Sequence, residues 1–223
     1  MNRRYTVARW NTGFETGAYP PWLTIGNNSV IDALGPIASP AGSFQSLSQT
    51  GGAGVVSASA LEVFLGVSPG ALSGLGNGTA VEGSAIRQTF AVAAGETVSF
   101  LWNFLTDEVK FLGNVVNGND FSFYVLDGAI VELADIEENF PLSFVPATGT
   151  GFARQTGFFT LNLFFATAGV HTLAFGVVDE GNAVVNSGLL VDAAEVPAAV
   201  PEPASLLLLG SREREQEVPH ASP

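Results

Sequence analysis

Thr97-Val98-Ser99-Phe100-Leu101-Trp102-Asn103-Phe104-Leu105 is the stretch that decides the fold. Its large apolar side chains Val98, Phe100, Trp102 and Phe104 fall on every second residue, with Thr97, Ser99, Leu101 and Asn103 between them. A period of two puts each set on its own face of an extended strand, whereas a helix would scatter the same residues around its axis. The Val98 set, Trp102 included, therefore faces a core. Asp120 to Leu126 repeats the pattern, with Phe121, Phe123 and Val125 opposed to Ser122, Tyr124 and Leu126. Asp127-Gly128 is a tight-turn pair, so this strand continues as a hairpin into Ala129 to Leu133.

Working outward, Ala85 to Val92 passes through the turn Ala94-Gly95-Glu96 into the opening stretch. Gly157 to Ala166, the turn Ala168-Gly169 and Val170 to Val178 read as a second hairpin, and Ser187 to Ala193 as a last strand. Shorter β runs lie at Ser29-Val30-Ile31 and Gly54-Val55-Val56-Ser57. About eight to ten short strands at this spacing, often apolar on both faces, predict an all-β fold: a two-sheet antiparallel β-sandwich of jelly-roll type. A helical insertion interrupts it at 60–76. Ala60 to Leu65 forms one short helix, and Ser68-Pro69 supplies an N-cap and first-turn proline for a second that runs to Leu75 and stops at Gly76. Both are expected over a sheet edge.

The 223 residues suit one domain. We divide them into a leader fragment (1–10), the sandwich (11–196) and a linker with a polar, disordered tail (197–223). Hydrophobic residues at 47% and charged residues at 13% exclude both a coiled coil and a fully disordered chain. Seventeen Phe against one Met favour pleated surfaces over helix faces. The net charge is −13, and Arg87, Lys110 and Arg154 are the only bases between residues 11 and 210, against 18 acids. Such a surface does not bind phosphate backbones, so nucleic acid is excluded in favour of divalent cations or neutral glycans. The absence of Cys removes disulfides, thiolate metal sites and Cys nucleophiles. Of the two histidines, His171 lies in a strand-like run and His220 in a Pro-containing tail, so neither suggests a catalytic base. Gly74-Leu75-Gly76-Asn77-Gly78 matches neither a P-loop nor a dinucleotide fingerprint.

Val200-Pro201-Glu202-Pro203-Ala204-Ser205-Leu206-Leu207-Leu208-Leu209-Gly210 resembles the PEP-CTERM sorting signal of exported Gram-negative proteins, which a membrane protease, the exosortase, processes. In that likeness Pro201, Glu202 and Pro203 are the sorting motif, and the prolines hold the backbone extended. The likeness then breaks off. After four Leu the chain turns into Ser211-Arg212-Glu213-Arg214-Glu215-Gln216-Glu217. Four apolar residues cannot span about 30 Å of hydrocarbon, so no membrane anchor is expected from this stretch. The body is similar as well. Gly13-Phe14-Glu15-Thr16-Gly17 with Pro21-Trp22 looks like the opening of secreted jelly-roll modules. Gly83 to Phe90, Trp102 to Glu108, Asn119-Asp120-Phe121, Gly176 to Asp179 and Ser187 to Asp192 are similar to the body of many PEP-CTERM proteins. The resemblance implies export to the cell surface or extracellular matrix of a Gram-negative-type bacterium, an exosortase partner where the signal is complete, and no shared enzymatic activity.

Candidate sites follow. Calcium takes several oxygen ligands, usually carboxylates mixed with carbonyls. In jelly rolls of the carbohydrate-binding type, acids on the first and last elements meet around a structural calcium; the likeness puts Glu15 and Asp192 there. Asp107-Glu108 and Asn119-Asp120 flank the connection between strands 97–105 and 120–126, where they can converge on a metal or cap turns. Asp179-Glu180-Gly181-Asn182 has the composition of a turn and lacks EF-hand spacing. Sugar rings stack on flat aromatic faces, and Trp22, after Pro20-Pro21, is the expected carbohydrate-binding platform, with Trp10 a further candidate. The expected function is a non-catalytic exported or cell-envelope module that binds extracellular polysaccharide, with calcium as a structural cofactor. Two alternatives stand beside it: a structural or adhesive surface protein without a small ligand, and a glycan hydrolase, whose two acids would lie about 5–9 Å apart in a cleft.

Overall fold

The computed structural model describes residues 13–75, 78–111, 114–116, 118–137, 144–181 and 183–194. Five strands open the chain: β1 (Leu23–Ile25), β2 (Asn27–Ile31), β3 (Ala33–Leu34), β4 (Ile37–Ala38) and β5 (Gln45–Gln49). β6 (Val56–Ser57), helix α1 (Ala58–Leu65) and a 3₁₀ turn (Ser73–Leu75) precede the long strands β7 (Ala80–Val92) and β8 (Glu96–Thr106). β9 (Val109–Phe111), β10 (Asn114–Val116), β11 (Phe121–Leu126) and β12 (Ala129–Asp135) follow. The last part holds β13 (Val145–Pro146), β14 (Arg154–Gln155), β15 (Phe159–Phe165), β16 (Gly169–Glu180) and β17 (Ser187–Ala193).

Two antiparallel sheets carry these strands. Sheet I has the order β1-β7-β16-β11-β12, with β6 also on β7. Sheet II has the order β13-β14-β8-β17-β5-β2, with β15 on the same side of β8 as β14. The fold is an all-β antiparallel sandwich. Its core lies between the sheets, where Phe100, Trp102 and Phe104 of β8 meet Ile86 of β7 and Phe175 of β16. The alternation in 97–105 thus selects the inward face, and Trp102 belongs to it.

The Asp127-Gly128 hairpin forms between β11 and β12, with φ of 51° at Asp127 and 85° at Gly128. Positive φ at both central residues gives the turn twist that matches the flanking strands. The other expected hairpin does not form. β15 pairs with β8 in sheet II, while β16 pairs with β7 and β11 in sheet I. Ala168 therefore marks a corner between the layers. The reason is packing: Leu163 and Phe165 enter the core from sheet II, and Leu173, Phe175 and Val177 enter it from the opposite sheet.

The helical insertion also differs from expectation. Among the described residues of this stretch only one α-helix forms, with Ser57 accepting from the Ala60 N–H at its start. Beyond Gly66, the buried Glu62 carboxylate accepts the N–H groups of Gly70 (2.9 Å) and Leu72 (3.1 Å), and Gly70 takes φ of 80°. Those contacts hold 68–72 as a turn and leave a single 3₁₀ turn where a second helix was expected. Nor does α1 cover a sheet edge. Leu61 and Leu65 lie in one cluster with Ala85, Phe121, Phe123 and Ala174, on the outer face of three adjacent strands of sheet I.

At one end of the sandwich the inward positions turn polar. The phase that buries Phe104 continues to Thr106 and Glu108, and the phase of Phe175 and Val177 continues to Asp179. Ser187, paired with Thr106, begins β17 there. None of the described helices is long and apolar enough to cross a membrane.

Candidate functional site

The first and last elements do meet, as the sequence suggested for Glu15 and Asp192. Both acids converge on the loop between β4 and β5. Exposed Glu15 accepts from the N–H groups of Ser43 (2.8 Å) and Phe44 (3.4 Å). Asp192, fully buried, accepts from Ser39 Oγ (2.6 Å), Ala41 N (3.1 Å) and its neighbour Ala193 N (2.8 Å). Burial pushes the Asp192 carboxyl up to about 6, and the nearby Glu15 charge adds to the rise, against the pull of those three donors. This arrangement staples the loop between the first and last elements.

The second predicted group converges in part. Glu108 is fully buried, and its Oε2 accepts from Asp120 N (2.9 Å). Asp120 accepts from Glu180 N (3.0 Å) and Ser187 Oγ (2.7 Å). The other two members turn away: Asp107 accepts from Ala153 N (2.7 Å), and Asn119 donates to Asp135 (2.7 Å). Asp179, expected in a turn, instead joins the group from the end of β16 at 1% exposure. Burial, reinforced by the Asp120 charge, pushes both Glu108 and Asp179 up to about 9. Burial raises Asp120 too, although its bonds to Asp179, Ser187 and Glu180 N–H oppose the rise. Among the described residues no base pairs with these acids. Among the described residues no group of three or more His, Cys, Asp or Glu side chains is arranged to hold a metal ion.

Trp22 is not a sugar platform. It is 3% exposed and sits in the inter-sheet core, stacked on Phe14 (5.8 Å between ring centroids) and edge-on to Phe100 (6.2 Å). The neighbouring prolines gave it the look of a loop residue, but an indole this large is worth most as a plug between sheets. Trp10 and the Pro201-Glu202-Pro203 motif lie outside the described residues.

A solvent-open cleft that sequence reasoning did not single out lies on the outer face of sheet I. Its volume is about 260 Å³. Val125, Ala174 and Leu65 make an apolar floor, and Arg87, Thr172 and Asp127 bring polar groups to it. Arg87 donates to the Phe64 carbonyl and stands 4.8 Å over the Phe64 ring, which fixes it beside the helix end. Asp127 Oδ2 bonds His171 Nδ1 (2.6 Å), and Asp127 Oδ1 accepts from Thr172 N (2.8 Å). A small desolvation cost works against ionising Asp127, but the bonds from His171 and Thr172 outweigh it and hold the carboxyl below its usual range. The signal available in the sequence was Arg87, a rare base on the outward phase of a strand.

No protein-family model matches the chain, and no curated protein matches it in sequence. Solved structures do show a distant likeness. TmCBM61, solved in complex with β-1,4-galactotriose, is 12% identical with a TM-score of 0.37, over 83% of this chain and 95% of its own. A cleaved adhesin domain of Lys-gingipain from Porphyromonas gingivalis is 11% identical with a TM-score of 0.39, over 82% of this chain and 95% of its own. A xylan-binding domain from CBM 22 is 14% identical with a TM-score of 0.28, over 85% of this chain and 94% of its own. At these values no residue role carries over.

Proposed function

We propose that this protein is a non-catalytic, exported recognition module that binds extracellular polysaccharide in the cleft on sheet I. The observation that carries the reading is the cleft's chemistry. An apolar floor under a ring of fixed donors and acceptors suits a sugar, which offers C–H faces and hydroxyl edges together. Its volume of about 260 Å³ is below the roughly 300 Å³ at which pockets for drug-sized ligands begin, and so suits one ring of a chain lying across the surface. Arg87 and Asp127 are already ordered by their own partners, so little side-chain freedom remains to be lost on binding.

Two features support a non-catalytic role. The acids whose proton affinity is raised most, Glu108 and Asp179, are sealed at 0% and 1% exposure and do not line the cleft on sheet I. His171 is not among the residues that line the cleft: its ring packs against Phe165 and Phe90, and its buried Nε2 faces Gly169. Export is supported by the Val200 to Gly210 motif.

Affinity gel electrophoresis through neutral polysaccharides tests the binding site. The wild-type chain is expected to be retarded on at least one polysaccharide. Arg87→Gln and Asp127→Asn should each weaken that interaction about tenfold or more, the worth of one charge-assisted hydrogen bond. Equal retardation of both folded variants and wild type, or free migration of the wild type on every gel, overturns the proposal.

A further inference from the structure

We propose a calcium site between the two sheets, in which Glu108 and Asp179 supply the anchoring oxygens and Asp120 holds them in place. It is independent of the cleft. Three segments deliver the acids: the turn after β8, the turn before β11 and the end of β16. Each is an inward continuation of a core phase, so the strands themselves drive the carboxylates into the sandwich.

Crowded acids alone would not suffice, since such groups often serve as caps. The decisive observation is that two oxygens in the group are buried and unpartnered: Glu108 Oε1 and Asp179 Oδ1. The remaining oxygens of Glu108 and Asp120 are in use, on Asp120 N, Glu180 N and Ser187 Oγ. Those bonds fix the direction of each side chain. Glu108 Oε1 faces the backbone at Gly118, where a β-carbon would come 3.5 Å from it and 2.1 Å from the Glu180 carbonyl oxygen. Asp179 feels the charge of Asp120, and Glu108 feels both. A buried acceptor left without a partner costs stability, and repeated negative charge makes it worse.

A hard divalent cation removes that cost at one stroke. Calcium tolerates irregular sets of six to eight oxygens, so two carboxylates suffice when hydroxyls, carbonyls and water complete the shell. Thr50 hydrogen-bonds Asp179, and the Glu180 carbonyl faces the same Gly118 position as Glu108 Oε1. The ion would tie β8, β11 and β16 together, one strand from sheet II and two from sheet I.

Calorimetry with calcium chloride on the chelator-treated full chain provides the test, alongside thermal melts. One calcium per chain is expected, with a rise in Tm of about 5–10 °C at a hundredfold excess over Kd. Glu108→Gln and Asp179→Asn should abolish both the heat and the rise, while Glu15→Gln should retain them. A wild-type chain that melts identically in calcium and chelator overturns the site; so does a full rise in both variants. Should either variant fail to fold, amide NMR of the wild type decides. On calcium addition the Asp120 and Glu180 resonances should move and those of Ala41 and Ser43 should not; the reverse pattern rejects the assignment.

Discussion

Asp192 and Asp179 are both buried aspartates on strands of one sandwich, and they sit in opposite chemical surroundings. Asp192 projects from β17 toward the β4–β5 loop, where Ser39 Oγ and Ala41 N donate to it alongside its own neighbour Ala193 N. Asp179 projects from the end of β16 into a group of other acids, with one oxygen unpartnered. Burial raises both, but to about 6 in the first case and about 9 in the second. The difference shows what donors accomplish. Desolvation is common to the two sites; three donors oppose the rise at Asp192, whereas at Asp179 Thr50 opposes it against the charge of Asp120.

Replacing Asp192 should have the largest effect. Asp192→Ala strands Ser39 Oγ and Ala41 N in a buried place, and urea unfolding should show a loss of about 2–4 kcal/mol. The same residue sets a pH dependence. Its carboxyl rises from 3.8 unfolded to about 6 folded, so the native state holds the proton more tightly. Its contribution is therefore complete below about pH 4 and is lost as pH climbs through about 6, a step on the order of 2 kcal/mol that Asp192→Asn should remove. A profile unchanged by that substitution breaks the comparison from the loop side.

Glu108→Gln probes the other end. In chelator at pH 8 it should leave stability unchanged or raise it by about 1 kcal/mol, because an uncompensated buried acid is replaced by a neutral group of the same shape. A loss as large as that of Asp192→Ala would show that Glu108 is already fully satisfied. The smallest effect belongs to Glu15→Ala, at about 1 kcal/mol or less, since the Ser43 and Phe44 amides at this exposed position can turn to water. It should also move the Asp192 step to lower pH by removing a neighbouring negative charge.

Much of this was legible in the chain. The alternation in 97–105 identified the inward face, Asp127-Gly128 identified a hairpin, and the flanks of 107–120 pointed to Glu108 and Asp120. Asp179 was missed because the residues after it look like a turn, yet it continues the inward phase of Phe175 and Val177 by one step. Trp22 was misread because prolines conceal how a loop folds back beneath a sheet. The cleft carries no linear signature, since its walls come from three strands, a turn and a helix end.

What the sequence determined by itself is the direction of each side chain along a strand, because pleating is a property of local backbone angles. Sheet membership was decided elsewhere. Whether β15 pairs with β16 or with β8 depends on which edge lies within reach and which face needs covering, and both are facts about distant residues. The same holds for charge. An acid's composition and neighbours are written locally, but its proton affinity depends on the donors, the burial and the other carboxylates that only the packed sandwich brings to it.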